Sequence, residues 1–190
     1  MNILANNFYT SYGNCTPHIL YCGSFNPLHH GHLELANYVQ NKYCLPVAFE
    51  MSTVNCDKGK VELEELERRA EQFKSLQRSY IITDTPYFIN KFHVGGKCRL
   101  LGKGDIDKYC IMMGSDTAIR LVDPKYYFNS PSEKDRICKI LSAQCNILVF
   151  PRFNNEKFEI PKELFGCITY HSDYIPIEIS SSEIRSKSNA

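Results

Sequence analysis

The 190 residues contain no tryptophan, no C-x-x-C pair, no apolar stretch approaching the length of a membrane-spanning helix, and almost no net charge. Twenty-two Lys and Arg nearly balance 21 Asp and Glu, leaving a formal charge of +1. No global field therefore recruits nucleic acid or an anionic membrane, and an anionic ligand has to be held by a local site. The nine cysteines are odd in number and scattered. They read as reduced thiols rather than as a disulfide framework or a zinc module. The first 17 residues lack a positively charged start followed by an apolar run, the pattern of a secretory leader. The expected compartment is the cytoplasm, with the nucleus as the alternative.

What is present is an ordinary globular composition. With 43% hydrophobic and 23% charged residues, the chain can bury a core of its own in one compact domain. That domain is expected over residues 18–190, after an extension, residues 1–17, that is rich in Asn, Tyr and Thr and shows no clear period. Ile19–Cys22, Val47–Met51, Tyr80–Thr83, Tyr109–Met113 and Ile147–Phe150 are short apolar runs that read as strands. Between them, Leu35, Ala36, Val39 and Tyr43 share one helical face, and Leu63, Leu66, Ala70, Phe73 and Leu76 another. Glu64 with Arg68 and Glu65 with Arg69 are spaced to pair on the outside of the second helix. Ser130, Pro131 and Glu133 form a capping box ahead of a helix that turns Ile137, Ile140 and Leu141 inward. Residues 95–107, glycine-rich and basic, read as a loop or hairpin whose cations are placed to cover a site; they do not align with a P-loop. Alternating strands and helices predict an α/β, doubly wound, mostly parallel sheet of five or six strands with helices on both faces. Ligands then bind beyond the carboxyl ends of the strands.

The loop after the first strand, Gly23-Ser24-Phe25-Asn26-Pro27-Leu28-His29-His30-Gly31-His32, stands where such a ligand belongs. Small residues at 23 and 24 let backbone N–H groups approach a polyphosphate, and the following helix start adds a positive dipole end. His29 and His32, three apart across a glycine, can both face one phosphate and stabilise the charge spread over its oxygens during transfer. Two plainer readings compete. The histidines could cap a helix, or His29, His30 and His32 with Cys22 could bind a metal. The uneven spacing in a tight turn and the lack of a partner Cys/His cluster weigh against zinc.

The decapeptide resembles the G-x-F-[DN]-P-x-H-x-G-H signature of the HxGH nucleotidyltransferases, the adenylyl- and cytidylyltransferase superfamily. The resemblance implies a Rossmann-like sheet, a nucleoside triphosphate carried with magnesium, and direct in-line displacement of pyrophosphate. His29 and His32 would be the signature histidines, and Gly23, Ser24 and Phe25 part of the ATP loop. Far along the chain, Ile179-Ser180-Ser181-Ser182-Glu183-Ile184-Arg185 is similar to the I-S-S-T-x-I-R element of the same superfamily. Ser182 stands where threonine is usual and keeps the hydroxyl. Ser180 with Glu183 has capping-box spacing, and Arg185 lies one turn in with a forked cation suited to the β- and γ-phosphates. The plainer reading is an ordinary capped terminal helix.

Gly114-Ser115-Asp116, after the fourth strand, resembles the G-x-D element of nicotinamide and nicotinate mononucleotide adenylyltransferases. Asp116 would accept hydrogen bonds from ribose or backbone; alternatively it is only a helix N-cap. Lys58 in the loop after the second strand is the cation placed to reach a triphosphate or the acceptor phosphate, unless it is merely solvated. Arg69, Gln72, Phe73, Asp116-Thr117 and the run Arg120 to Tyr127 look like a eukaryotic branch of such proteins, some of which are described as ATP-hydrolysing or quality-control proteins. The expected activity is transfer of AMP from ATP to nicotinamide or nicotinate mononucleotide, catalysed by His29, His32 and Arg185. Magnesium would lie on ATP rather than in a protein cage. The absent tryptophan leaves stacking of a pyridine ring to a tyrosine or phenylalanine. Another phosphate acceptor, such as phosphopantetheine or phosphocholine, and a slowly ATP-hydrolysing regulator acting through a protein partner are the open alternatives. The oligomeric state is left open.

Overall fold

The computed structural model describes residues 8–12, 19–57, 59–100, 103, 106–152 and 158–188. Its strands are β1 (Phe8–Tyr12), β2 (Ile19–Cys22), β3 (Val47–Ser52), β4 (Val54–Asn55), β5 (Gly59–Lys60), β6 (Tyr80–Thr83), β7 (Lys97–Cys98), β8 (Lys108–Gly114), β9 (Cys145–Phe150) and β10 (Ile168–Tyr170). Its α-helices are α1 (His30–Tyr43), α2 (Leu63–Ser75), α3 (Phe88–Lys91), α4 (Ser115–Ala118), α5 (Pro131–Gln144) and α6 (Ser181–Ser188). Strands β6, β3, β2, β8, β9 and β10 run parallel in that spatial order. Counted along the chain, the order is third, second, first, fourth, fifth, sixth. The direction of winding reverses between β2 and β8.

The sheet is wider than the five or six strands expected. It has eight, because β1 adds antiparallel to β6 and β7 adds antiparallel to β8. The extra strands are five and two residues long, too short to display a period in sequence. Strands β4 and β5 form a separate, two-stranded hairpin.

Parallel strands covered on both faces are apolar at nearly every position, and here alternate residues divide between two cores. Ile19, Tyr21, Val47, Phe49, Met112, Leu148 and Phe150 face α1 and α2. Leu20, Ala48, Ile81, Ile111, Met113, Ile147 and Val149 face α5. Helix α1 buries Leu35, Ala36 and Val39, with Tyr43 only half-buried. Helix α2 buries Leu66, Ala70 and Phe73, but Leu63 and Leu76 at its two ends project into solvent, at 53% and 48% exposure. Arg68 turns to Glu65 at 2.7 Å rather than to Glu64, while Arg69 meets Glu65 as spaced, at 2.8 Å. Ser130 caps α5 by accepting the Glu133 N–H at 3.3 Å, and Ile137, Cys138 and Leu141 are buried with Ile140 at their edge. Among the described residues no helix is long and apolar enough to cross a membrane.

Candidate active site

A cleft of about 630 Å³ opens at the carboxyl ends of the strands, across the point where the winding reverses. Its walls are the loop after β2, the segments after β3, β6, β8 and β9, and the start of α6. This is where an open α/β sheet holds a ligand.

The first loop turns sharply because Phe25 adopts a left-handed backbone, φ 45°. Its ring, 2% exposed, packs edge-on against Tyr21, His32, Phe49 and Phe73. Phe25 thus anchors the turn from below. Gly23 has to be glycine, since a Cβ there would lie 2.7 Å from that ring. The Gly23 N–H donates to the Glu50 carbonyl at 3.1 Å and extends the sheet, so it is not available to a polyphosphate. Helix α2 holds the loop from one side. Gln72 accepts the Leu28 N–H at 2.9 Å, Arg69 donates to the Ser24 carbonyl at 3.2 Å, and Arg68 donates to Asn26 Oδ1 at 2.8 Å.

His29 stands at the N-cap of α1, yet its side chain makes no capping bond. Instead its backbone N–H donates to His32 Nδ1 at 3.3 Å, and the two rings stack with centroids 3.7 Å apart. Both residues are buried, and neither His29 ring nitrogen has a hydrogen-bond partner among the described residues. Burial first, and then the Arg152 guanidinium, push the His29 pKa down to about 4. Burial, then His29 and Arg152, push His32 down to about 2. At neutral pH the pair is uncharged. His30 faces outward toward Glu34, 3.8 Å away, so the three histidines do not share one focus. Among the described residues, no group of three or more His, Cys, Asp and Glu side chains is set to hold a metal ion.

The start of α6 meets this loop from the other side. Ser180 and Glu183 form a reciprocal capping box, at 3.1 and 3.2 Å. The Ser181 hydroxyl donates to the Pro27 carbonyl at 2.9 Å, across 154 positions of sequence. The Arg185 guanidinium donates to the Asn26 carbonyl and, at 3.0 Å, to Ser182 Oγ. The other described cations lining the cleft, Arg69, Lys91, Arg120 and Arg152, each face a carboxylate; Arg185 faces none among the described residues.

After β8, Gly114 rather than Asp116 takes the N-cap of α4. The Asp116 carboxylate instead accepts from Arg152 Nε at 2.9 Å. Gly114 allows that approach, since a Cβ there would lie 2.5 Å from Asp116 Oδ1 and 2.8 Å from Arg152 Nε. Arg152 was not singled out in sequence. Its signal was position, two residues beyond the end of a core strand. Also missed was a buried ion pair in the cleft wall, where Lys91 lies 3.1 Å from Glu50 and Thr83 donates to the same carboxylate at 2.6 Å. No local pattern links residues 41 positions apart. Lys58 lies outside the described residues. Its neighbour Asp57 faces Arg120 and Lys125, each at 3.0 Å, and accepts from the Tyr126 hydroxyl at 2.9 Å. Strand β7, within 95–107, pairs antiparallel with β8, and no described residue of that segment lines the cleft; residues 101, 102, 104 and 105 lie outside the described residues.

A family model described as cytidylyltransferase-like matches residues 20–187. No curated protein sequence matches the chain. Among solved structures, Plasmodium falciparum nicotinic acid mononucleotide adenylyltransferase complexed with NaAD is similar, with a TM-score of 0.50 at 13% identity over 88% of this chain and 82% of that one. At that identity the likeness is one of fold. The family model spans both the histidine loop and Arg185, and the chain belongs to the cytidylyltransferase-like family of nucleotidyltransferases.

Proposed function

We propose that the protein transfers AMP from ATP to the phosphate of nicotinamide or nicotinate mononucleotide, forming the dinucleotide and pyrophosphate. One observation carries the reading: the histidine loop and the α6 start wall a single cleft at the reversal point, with an arginine there that faces no carboxylate among the described residues. An acceptor phosphate oxygen attacks the α-phosphorus, and the bond from that phosphorus to the bridging oxygen of pyrophosphate breaks. The protein supplies alignment and charge stabilisation, with no side-chain nucleophile. His32 Nδ1 accepts the His29 N–H, which leaves the proton of the neutral ring on Nε2 as a donor. Neutral imidazoles with depressed pKa values serve as hydrogen-bond donors to the transition state. Ser181, Ser182 and Arg185 would receive the departing pyrophosphate, for which the Arg185 fork has donors beyond those used by Asn26 and Ser182. Magnesium enters as part of the ATP substrate, on phosphate oxygens.

The acceptor is the finer part of the reading. By its name, the Plasmodium falciparum neighbour acts on nicotinic acid mononucleotide. In this chain Tyr87 and Phe88 line the cleft beyond β6, and Tyr87 is the aromatic favoured here to stack a pyridine ring in place of tryptophan. The test is pyrophosphate release from ATP against a panel of nicotinamide mononucleotide, nicotinate mononucleotide, phosphopantetheine and phosphocholine. A mononucleotide is expected to accelerate release. ATP consumption that no acceptor accelerates would replace this reading with that of an ATP-hydrolysing regulator.

A further inference from the structure

We infer that Arg152, rather than Arg185, is the cation that meets the α-phosphate of the bound nucleotide. The inference rests on the reading above that ATP occupies this cleft. Arg152 stands two residues past β9 and lines the cleft beside Gly114 and Asp116. Its Nε donates to Asp116 at 2.9 Å, which holds the planar group by its inner edge. The two terminal nitrogens have no partner among the described residues, and the side chain is 46% exposed. A guanidinium held by its inner edge keeps its outer fork for a phosphate, the geometry in which arginine binds two oxygens at once.

The partners separate the two arginines. Arg152 is held by Asp116 beside Gly114, at the end of β8, and its charge helps to keep both imidazoles below their ordinary pKa. Arg185 is committed to the Asn26 carbonyl and to Ser182 on the α6 side of the cleft. The cleft that holds the imidazole pair thus carries one forked cation on its β8–β9 side and another on its α6 side. A nucleotide whose α-phosphate rests on the imidazoles presents that phosphate to Arg152, and its β- and γ-phosphates to Arg185. Arg152 then binds the group that stays with the product, and Arg185 the group that leaves.

Two probes divide these roles. AMP carries only the α-phosphate, and magnesium pyrophosphate only the leaving part. Calorimetric binding of each is measured on the wild type, Arg152→Gln and Arg185→Gln, with melting curves to check that each variant is folded. Arg152→Gln is expected to weaken AMP by roughly 10- to 100-fold, the range for a lost charge-assisted hydrogen bond, and to leave pyrophosphate unchanged. Arg185→Gln is expected to do the reverse. Arg152→Lys, which keeps the charge and loses the fork, is expected to weaken AMP less than Arg152→Gln does, and it carries the test if Arg152→Gln does not fold. Wild-type binding of both probes with AMP affinity untouched in Arg152→Gln, or equal losses of both probes in both glutamine variants, overturns the inference alone. Wild-type binding of neither probe overturns the occupancy of the cleft by ATP, and the inference with it.

Discussion

His32 is 6% exposed, stacked on His29 and wedged against the Phe25 ring, so its imidazole cannot leave the cleft without dismantling the turn. His32→Ala is expected to lower turnover by roughly a hundred- to a thousandfold, the cost of one preorganised donor, while circular dichroism shows the fold retained. The pair also makes a prediction about pH. In the folded protein the two rings titrate near 4 and 2, against 6.5 when unfolded. Below the unfolded value the unfolded chain binds protons that the folded chain refuses, so stability falls as pH drops. For His29 the loss levels off below its folded pKa. Each histidine contributes at most about 1.4 kcal/mol per pH unit in that window. Urea unfolding at about pH 7 and about pH 5 is expected to show a smaller loss in His32→Ala than in the wild type. At this scale the sequence displayed whatever lies in contiguous motifs, which is why His29, His32 and Arg185 could be named. Arg152 and the Glu50–Lys91 pair could not be named, because their partners come from distant strand ends and only the folded sheet brings them together.

Helix α6 is eight residues long, too short to be stable alone in water, and it is anchored by its capping box, Ser181 and Arg185. Ser180→Ala is expected to cost about 1 kcal/mol of local helix stability. Amide exchange should show the α6 amides opening faster, and the ATP affinity should fall more than the melting temperature does. Asp57, in the turn of the β4–β5 hairpin, is tied to Arg120, Lys125 and Tyr126, and Asp57, Arg120 and Tyr126 line the cleft. Exposed ion pairs contribute little to global stability. Asp57→Asn is therefore expected to leave the melting temperature nearly unchanged while raising the KM of the acceptor. Helices α1, α2 and α5 were readable because 13 or 14 residues display a helical period. Strands β7 and β10, two and three residues long, offered nothing to read.

For the molecule as a whole, the two-sided core separates stability from chemistry. Leu141 on α5 is fully buried in the core on the sheet face opposite α1 and α2, and it does not line the cleft. Leu141→Ala is expected to destabilise the fold by about 2–5 kcal/mol and to leave turnover per folded molecule intact, a split read by melting curves beside initial rates. The parallel, doubly wound order followed from the alternation of strand and helix. What alternation could not reveal is that helix α6 folds back onto the loop after β2, since that contact depends on Ser181 and Arg185 finding carbonyls at Pro27 and Asn26. The most direct test of that contact as a shared phosphate site is calorimetric binding of α,β-methylene-ATP, which cannot release pyrophosphate, to the wild type, His32→Ala, Arg185→Ala and the double variant. Both single variants are predicted to bind it more weakly, with a coupling between them in the double. Full affinity in either single variant would contradict a triphosphate held from both ends of the chain.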